Sequence, residues 1–310
     1  MVTVVQTLKT FAIASPYGGP YCYDYVVYLS LRKAMESLGL IYDKESPNRV
    51  YLLGYPLRPK YISCGAFDPN NLNIALIGSG LQYTHGSPLE DFDFVFTSSP
   101  ISYNAFMTLT GRKPDGLWNL YSPFEGEIPE FKLTDKTIDI PEMDIAFVGN
   151  ARARQSVEAL MQIIDKHPEW SFNYYGANID KYQGNPKAKK YWTGDILPYH
   201  QFPDLAKKAK IVLMDMHDDM SQCGMPSFKL IDMLMCKAFV MTYGNTYCPT
   251  LLKSPTFSSP AELENMITLY LSNKEKREKI IRESHRIVKR VHTVNKTASQ
   301  LVGLINSFGR

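Results

Sequence analysis

The chain has 310 residues, with 34 basic and 31 acidic side chains and a formal net charge of +3. This length fits two domains better than one, and the 45% content of apolar residues argues against a disordered chain. No apolar run approaches the roughly 20 residues that cross a bilayer, and residues 1–15 lack the pattern of a secretion signal. We therefore expect a cytoplasmic, two-domain monomer without a membrane partner.

The cysteines are odd in number, widely separated and never arranged as CxxC. They are Cys22, Cys64, Cys223, Cys236 and Cys248. This usage predicts neither a disulfide framework nor a structural zinc site.

Apolar runs and helix-period segments alternate through the first half of the chain. Strands are predicted at residues 11–14, 50–53, 72–77 and 92–97, and helices at residues 23–38 and 99–109. A proline- and acid-rich stretch follows at residues 121–143. We predict a first domain over residues 1–133 and a linker over residues 134–143.

The same alternation restarts after the linker. Strands are predicted at residues 144–148, 170–175, 211–214 and 238–242, and helices at residues 156–166, 202–208, 227–236, 262–272, 274–291 and 296–308. Residues 144–290 are predicted to form a second domain, and residues 291–310 a terminal helix that can pack back on the first. Repeated strand–turn–helix units predict an α/β fold of two Rossmann-like parallel-sheet domains facing a central cleft. Ligands of such sheets bind beyond the carboxyl ends of the strands.

A glycine- and arginine-containing turn follows the first strand of the second domain. Gly149 permits a tight turn, and Arg152 and Arg154 stand beside the amides that open the next helix. Together they predict an anion site. Two arginines on a solvated helix start are the simpler alternative.

A second candidate lies at the helix predicted over residues 227–236. Ser227 suits a helix start, and Lys229 and Asp232 share one helical face because they are three residues apart. The lysine can meet a phosphate and the carboxylate can accept ribose hydroxyls. A solvated ion pair explains the same spacing.

Other motifs carry less information. The Gly18–Gly19 pair lets backbone amides approach a diphosphate, but the GxGxxG spacing is missing. The DxD at residues 91–93 precedes a strand and is attributed to chance, and the His-Asp-Asp cluster at residues 217–219 fits a polar loop better than a metal site. P-loop and GxSxG motifs are absent from the sequence.

The run at residues 228–238 resembles the helix that binds the diphosphate and ribose in GT-B glycosyltransferases, including their spore-maturation-like branch. It departs at Asp232, where glutamate is usual, and at Lys237, where glycine is usual. Residues 149–152 and 174–196 resemble more closely the phage β-glucosyltransferases that act on 5-hydroxymethylcytosine in DNA. The resemblance extends over about residues 144–308.

This resemblance implies a UDP-sugar donor, either UDP-glucose or a UDP-pentose, with no obligatory metal. The residues expected to bind the donor are Gly18, Gly19, Gly149, Asn150, Arg152, Arg154, Gly176, Ile196, Ser227, Lys229 and Asp232. The aspartate that serves the family as catalytic base has no counterpart, because Gly78-Ser79-Gly80 stands in its place. Asp24 and His85 are the candidate bases, and a capping aspartate and a surface histidine are the alternatives.

The implied activity is sugar transfer from a UDP-sugar to 5-hydroxymethylcytosine in duplex DNA, in the cytoplasm of a host cell if a phage encodes the chain. Basic clusters at residues 187–190, 207–210 and 274–290 permit phosphate contact. Two alternatives stay open: a glycosyltransferase acting on a cell-surface polymer or small molecule, and a non-catalytic module that binds nucleotide sugars.

Overall fold

The chain divides into two units, each built on its own parallel sheet. A computed structural model describes residues 9–14, 23–52, 67–78, 92–124, 134–150, 154–177, 179–216, 218–244 and 247–309. The first unit comprises Met1–Pro123 and Val291–Arg310, and the second comprises Phe124–Arg290. The division falls before the stretch predicted as a linker, residues 134–143, which belongs to the second unit.

The first unit contains a six-stranded sheet. Its elements are β1 (Thr10–Ala14), α1 (Tyr23–Ser37), β2 (Ile41–Tyr42), β3 (Asn48–Leu52), β4 (Leu72–Ile77), β5 (Phe94–Thr97), α2 (Pro100–Thr110), β6 (Gly116–Leu117) and α9 (Val294–Phe308). The strand order is β2-β1-β3-β4-β5-β6, and every neighbouring pair is parallel. Every residue of β4 is buried, as expected for a central parallel strand that is covered on both faces.

The second unit contains a five-stranded sheet. Its elements are β7 (Met143–Val148), α3 (Gln155–Ile163), β8 (Phe172–Tyr175), α4 (Phe202–Lys208), β9 (Ala209–Met214), α5 (Asp218–Gln222), α6 (Phe228–Met235), β10 (Val240–Tyr243), β11 (Thr256–Phe257), α7 (Pro260–Ser272) and α8 (Lys274–Val291). The strand order β11-β10-β9-β7-β8 is again parallel throughout. Strand β7 therefore ends between β8 and β9. The predicted pair of parallel α/β sheets is confirmed.

Local sequence signals set several helix ends. Ser99 and Ser102 form a reciprocal capping box at the start of α2, and Gly111 ends the helix with a φ of 70°. At the other end of the chain, α9 packs against α1. The Lys9 ammonium donates to the carbonyls of Ile305 at 3.0 Å and Gly309 at 3.1 Å, where a cation complements the helix dipole. Among the helices of the described ranges, none has the length and hydrophobicity of a membrane span.

His292, between α8 and α9, is a buried histidine with one defined tautomer. Its Nδ1 lies 2.7 Å from the carbonyl oxygen of Leu120, and because a carbonyl only accepts, Nδ1 carries the proton. The side chain is enclosed, with 1% of the residue exposed. Burial lowers the pKa of His292 to about 4, and the nearby Lys296 charge acts in the same direction.

This depressed pKa predicts a loss of stability in mild acid. Below the ordinary histidine pKa, His292 is protonated in the unfolded chain, whereas in the folded protein it stays neutral until the pH approaches 4. The free energy of unfolding should therefore fall between pH 7 and pH 4. His292 alone should account for a loss of about 2 kcal/mol at pH 5. His292→Asn keeps an N–H donor and should flatten this dependence in thermal melts. Equal pH slopes for variant and wild type would contradict the assignment.

Candidate functional site

A pocket of about 160 Å³ lies at the carboxyl edge of the second sheet, where β7 and β9 end. Its wall includes Val148, Arg154, Met214, Asp215, Ser227 and Lys229. Open parallel sheets bind ligands at this edge. Three of the residues predicted to bind the donor, Arg154, Ser227 and Lys229, are therefore brought together by the fold.

Lys229 enters the pocket from the start of α6. Ser227 is the N-cap of that helix, and its Oγ accepts a hydrogen bond of 3.1 Å from the Leu230 amide. The Lys229 Nζ donates to the Val148 carbonyl at 3.0 Å, so the end of β7 holds the ammonium. An ammonium and the positive end of a helix dipole thus face the same pocket, an arrangement that favours an anion.

Arg154 enters from the residue before α3. Its Nη1 lies 3.3 Å from Asp215 Oδ1, and its Nε donates to the Asn150 carbonyl at 3.3 Å. The side chains of this ion pair are 11% and 4% exposed, respectively. The predicted cation is therefore present in the pocket, but it already has a carboxylate partner, Asp215, that was not predicted from the sequence.

Two glycines let the ends of β7 and β8 come together. Gly149 donates its amide to the Tyr175 carbonyl at 2.9 Å. A Cβ on Gly176 would lie 1.9 Å from the Gly149 carbonyl oxygen, a distance that no real structure tolerates. Glycine is required at position 176 because backbone meets backbone there.

Both backbone groups of Gly176 have partners inside the protein. Its amide donates to the Asp195 carbonyl at 3.0 Å, and its carbonyl accepts from the Trp192 indole at 2.8 Å. The neighbouring Ile196 side chain is 42% exposed. These bonds hold the segment after residue 192 beside the end of β8.

Asp232 lies in α6 but not on the wall of the pocket. It is fully buried, and its Oδ2 accepts a 2.9 Å hydrogen bond from the Tyr199 hydroxyl. Burial, with the Asp232 charge adding to it, raises the pKa of the nearby Cys236 thiol and keeps it neutral. A ribose can reach this carboxylate only if neighbouring side chains, Tyr199 among them, move aside.

The remaining predicted residues lie outside the described residues: Gly18, Gly19, His85 and Arg152. Asp24 is the second residue of α1, and its side chain belongs to the part that is not described. Within the described ranges, no three His, Cys, Asp or Glu side chains cluster as metal ligands would.

Asp215 and Tyr199 were not among the residues predicted from the sequence. Asp215 did carry a signal, because it is the first residue after the apolar strand β9 and so falls at the ligand-binding edge. Tyr199 carried no such signal, because it lies 33 residues from Asp232 in sequence and contacts it only in the folded protein.

Residues 152–303 match the protein family described as glycosyl transferase-like. No curated protein matches the chain in sequence. The match covers α3 through most of α9 and includes the helix that carries Lys229. It therefore falls on the half of the chain that forms the pocket.

Solved structures resemble the whole chain rather than one unit. Sucrose-phosphate synthase from Thermosynechococcus elongatus superposes with a TM-score of 0.63 at 12% identity, over 96% of this chain and 98% of that one. Anabaena HepE, in complex with UDP and glucose, gives 0.60 at 10% identity, over 97% and 100%. T4 phage BGT, in complex with UDP and Mn²⁺, gives 0.57 at 12% identity, over 96% and 99%. The predicted GT-B fold is confirmed, and the family match and the fold together support a glycosyltransferase.

Proposed function

We propose that the protein transfers a sugar from a UDP-sugar to the hydroxymethyl group of 5-hydroxymethylcytosine in duplex DNA. The observation that carries the donor half of this proposal is the convergence of Arg154 and Lys229 on one pocket at the start of α6. The similar structures of HepE and T4 phage BGT, both in complex with UDP, support the same nucleotide for this chain.

In the proposed reaction, the bond between the sugar and the diphosphate breaks and negative charge grows on the leaving UDP. The Lys229 ammonium, the Arg154 guanidinium and the first turn of α6 would stabilise that charge. Lys229 and Arg154 are held by the Val148 and Asn150 carbonyls, so little reorganisation is needed when charge develops. We expect Arg152 to join them.

The nucleoside would extend from the diphosphate toward the end of β8. Because both backbone groups of Gly176 are already bonded, the uracil is expected to meet the neighbouring segment at Ile196. Asp232 would bind the ribose after Tyr199 moves. The Gly18–Gly19 amides are expected to bind the diphosphate as well.

A base must remove the proton from the acceptor hydroxyl as the sugar is transferred. Asp24 and His85 remain the candidates, and each must come within hydrogen-bond reach of that proton. The oxygen then attacks the anomeric carbon, and UDP leaves with the electron pair of the broken bond.

The acceptor rests on the resemblance to phage DNA glucosyltransferases. We expect radiolabelled sugar to pass from UDP-glucose or a UDP-pentose to duplex DNA containing 5-hydroxymethylcytosine, and not to unmodified DNA of the same sequence. Lys229→Ala protein, which is expected to turn over about 100-fold more slowly, serves as the low-activity control. No transfer to hydroxymethylated DNA from any donor would reject this acceptor.

The structural likeness to sucrose-phosphate synthase and HepE favours a second candidate, a glycosyltransferase with a different acceptor. It predicts slow hydrolysis of a UDP-sugar in the absence of acceptor, together with no labelling of DNA. A non-catalytic module would instead bind UDP in calorimetry and neither hydrolyse nor transfer the sugar.

A further inference from the structure

We infer that Asp215 is a positioning residue that orients Arg154 for the donor diphosphate, an inference that rests on the proposed function. Asp215 follows β9, and its side chain is 4% exposed. Its Oδ2 accepts hydrogen bonds from the Ser156 amide at 3.2 Å and the Ser156 Oγ at 3.0 Å. The first turn of α3 therefore fixes this carboxylate in place.

The fixed carboxylate in turn restrains the Arg154 side chain. Asp215 Oδ1 holds Nη1, the Asn150 carbonyl holds Nε, and the centre of the guanidinium lies 5.9 Å from the middle of the Phe147 ring. Within the described part of the chain, these bonds use Nε and Nη1 of the guanidinium. We expect the Nη2 group to bond a phosphate oxygen of the donor.

A restrained arginine loses less conformational entropy on binding an anion than a mobile one does. A free arginine side chain loses about 2 kcal/mol of rotamer entropy when it is ordered, and pre-ordering removes much of that loss from the binding step. The carboxylate could instead compete with the diphosphate for the guanidinium. Two observations favour orientation: the bonds from Ser156 partly compensate the Asp215 charge, and the carboxylate holds only one side of the fork.

The chain offers a matched control at the opposite edge of the same sheet. Asp144 accepts hydrogen bonds from the Ser171 amide and Oγ, both at 3.0 Å, and its other oxygen pairs with Lys210 at 2.8 Å. The pattern of partners repeats that of Asp215, but Asp144 lies near the start of β7, whereas the pocket lies where β7 ends. Asp144→Asn therefore reports the general cost of neutralising such a carboxylate.

The test measures UDP affinity by calorimetry for the wild type, Asp215→Asn, Asp144→Asn, Arg154→Ala and the double variant of residues 154 and 215. We expect Asp215→Asn to weaken UDP binding about 10-fold, and Asp144→Asn to leave it unchanged. On the Arg154→Ala background, Asp215→Asn should cost less than about 2-fold, because its effect passes through the arginine. Thermal melts of each variant check that it is folded.

Equal losses from Asp215→Asn on both backgrounds would show a merely structural role and overturn the inference. Unchanged or tighter UDP binding by Asp215→Asn would overturn it as well, and tighter binding would identify the carboxylate as a competitor. A wild-type protein that does not bind UDP would reject the proposed function and, with it, this inference. UDP binding by the wild type therefore distinguishes the two failures, because it persists if only the inference about Asp215 is wrong.

Discussion

Replacing Lys229 with alanine is expected to lower turnover about 100-fold while leaving the fold intact. The ammonium sits in the first turn of α6 and is held by the Val148 carbonyl on the wall of the pocket. Charge grows on the leaving diphosphate only as the sugar bond breaks. The loss should therefore fall mainly on kcat rather than on the KM for the UDP-sugar.

Lys208→Ala is the matched control for this variant. Lys208 also donates from its ammonium to a backbone carbonyl, that of Ile140, but at the opposite edge of the sheet. We expect this variant to turn over at near the wild-type rate. A Lys229→Ala enzyme with wild-type kcat, or equal losses in the two variants, would remove Lys229 from the reaction.

Replacing Gly176 with alanine should destabilise the second unit by about 3 kcal/mol and abolish donor binding. The added methyl would lie 1.9 Å from the Gly149 carbonyl oxygen and 2.8 Å from its carbonyl carbon, so backbone rather than a flexible side chain must shift. The shift would move the ends of β7 and β8 apart, and with them the Asn150 carbonyl that holds Arg154. Urea unfolding and UDP calorimetry measure the two effects.

Gly303→Ala provides the opposite expectation in the same protein. Gly303 lies within α9, and a Cβ there would meet nothing within 4 Å. Alanine should stabilise that helix by up to about 1 kcal/mol because glycine is a poor helix former. Equal free energies of unfolding for the two alanine variants would contradict the close approach of Gly149 and Gly176.

The long buried elements of the fold could be predicted because their periodicity is strong. The strand predicted at residues 72–77 is β4, and the helix predicted at residues 227–236 contains α6. The two-residue edge strands β2, β6 and β11 were missed because so short a run has no period. The strand predicted to start at residue 170 starts at Phe172, because the Trp170 amide turns back to the His167 carbonyl.

The candidate site could be predicted only where its residues are neighbours in sequence. Lys229 with its Ser227 cap, and Arg154 beside Gly149, each lie in one short segment, and local helix and turn chemistry identified them. Asp215 meets Arg154 across 61 residues of sequence. Whether residues so far apart in sequence meet depends on the order of the strands in the sheet. That order cannot be predicted from spacing along the chain.

The first unit is formed by two segments of the chain that the second unit separates, and this affects the order in which the units fold during synthesis. The second unit is continuous, so it can close its core as soon as residue 290 has left the ribosome. The first unit must wait, because Ala298, Leu301 and Ile305 bury their side chains only once α9 has been made and has reached α1. Until residues 294–308 have been made, the apolar side chains of α1 that face α9 stay uncovered, which favours aggregation of the incomplete chain.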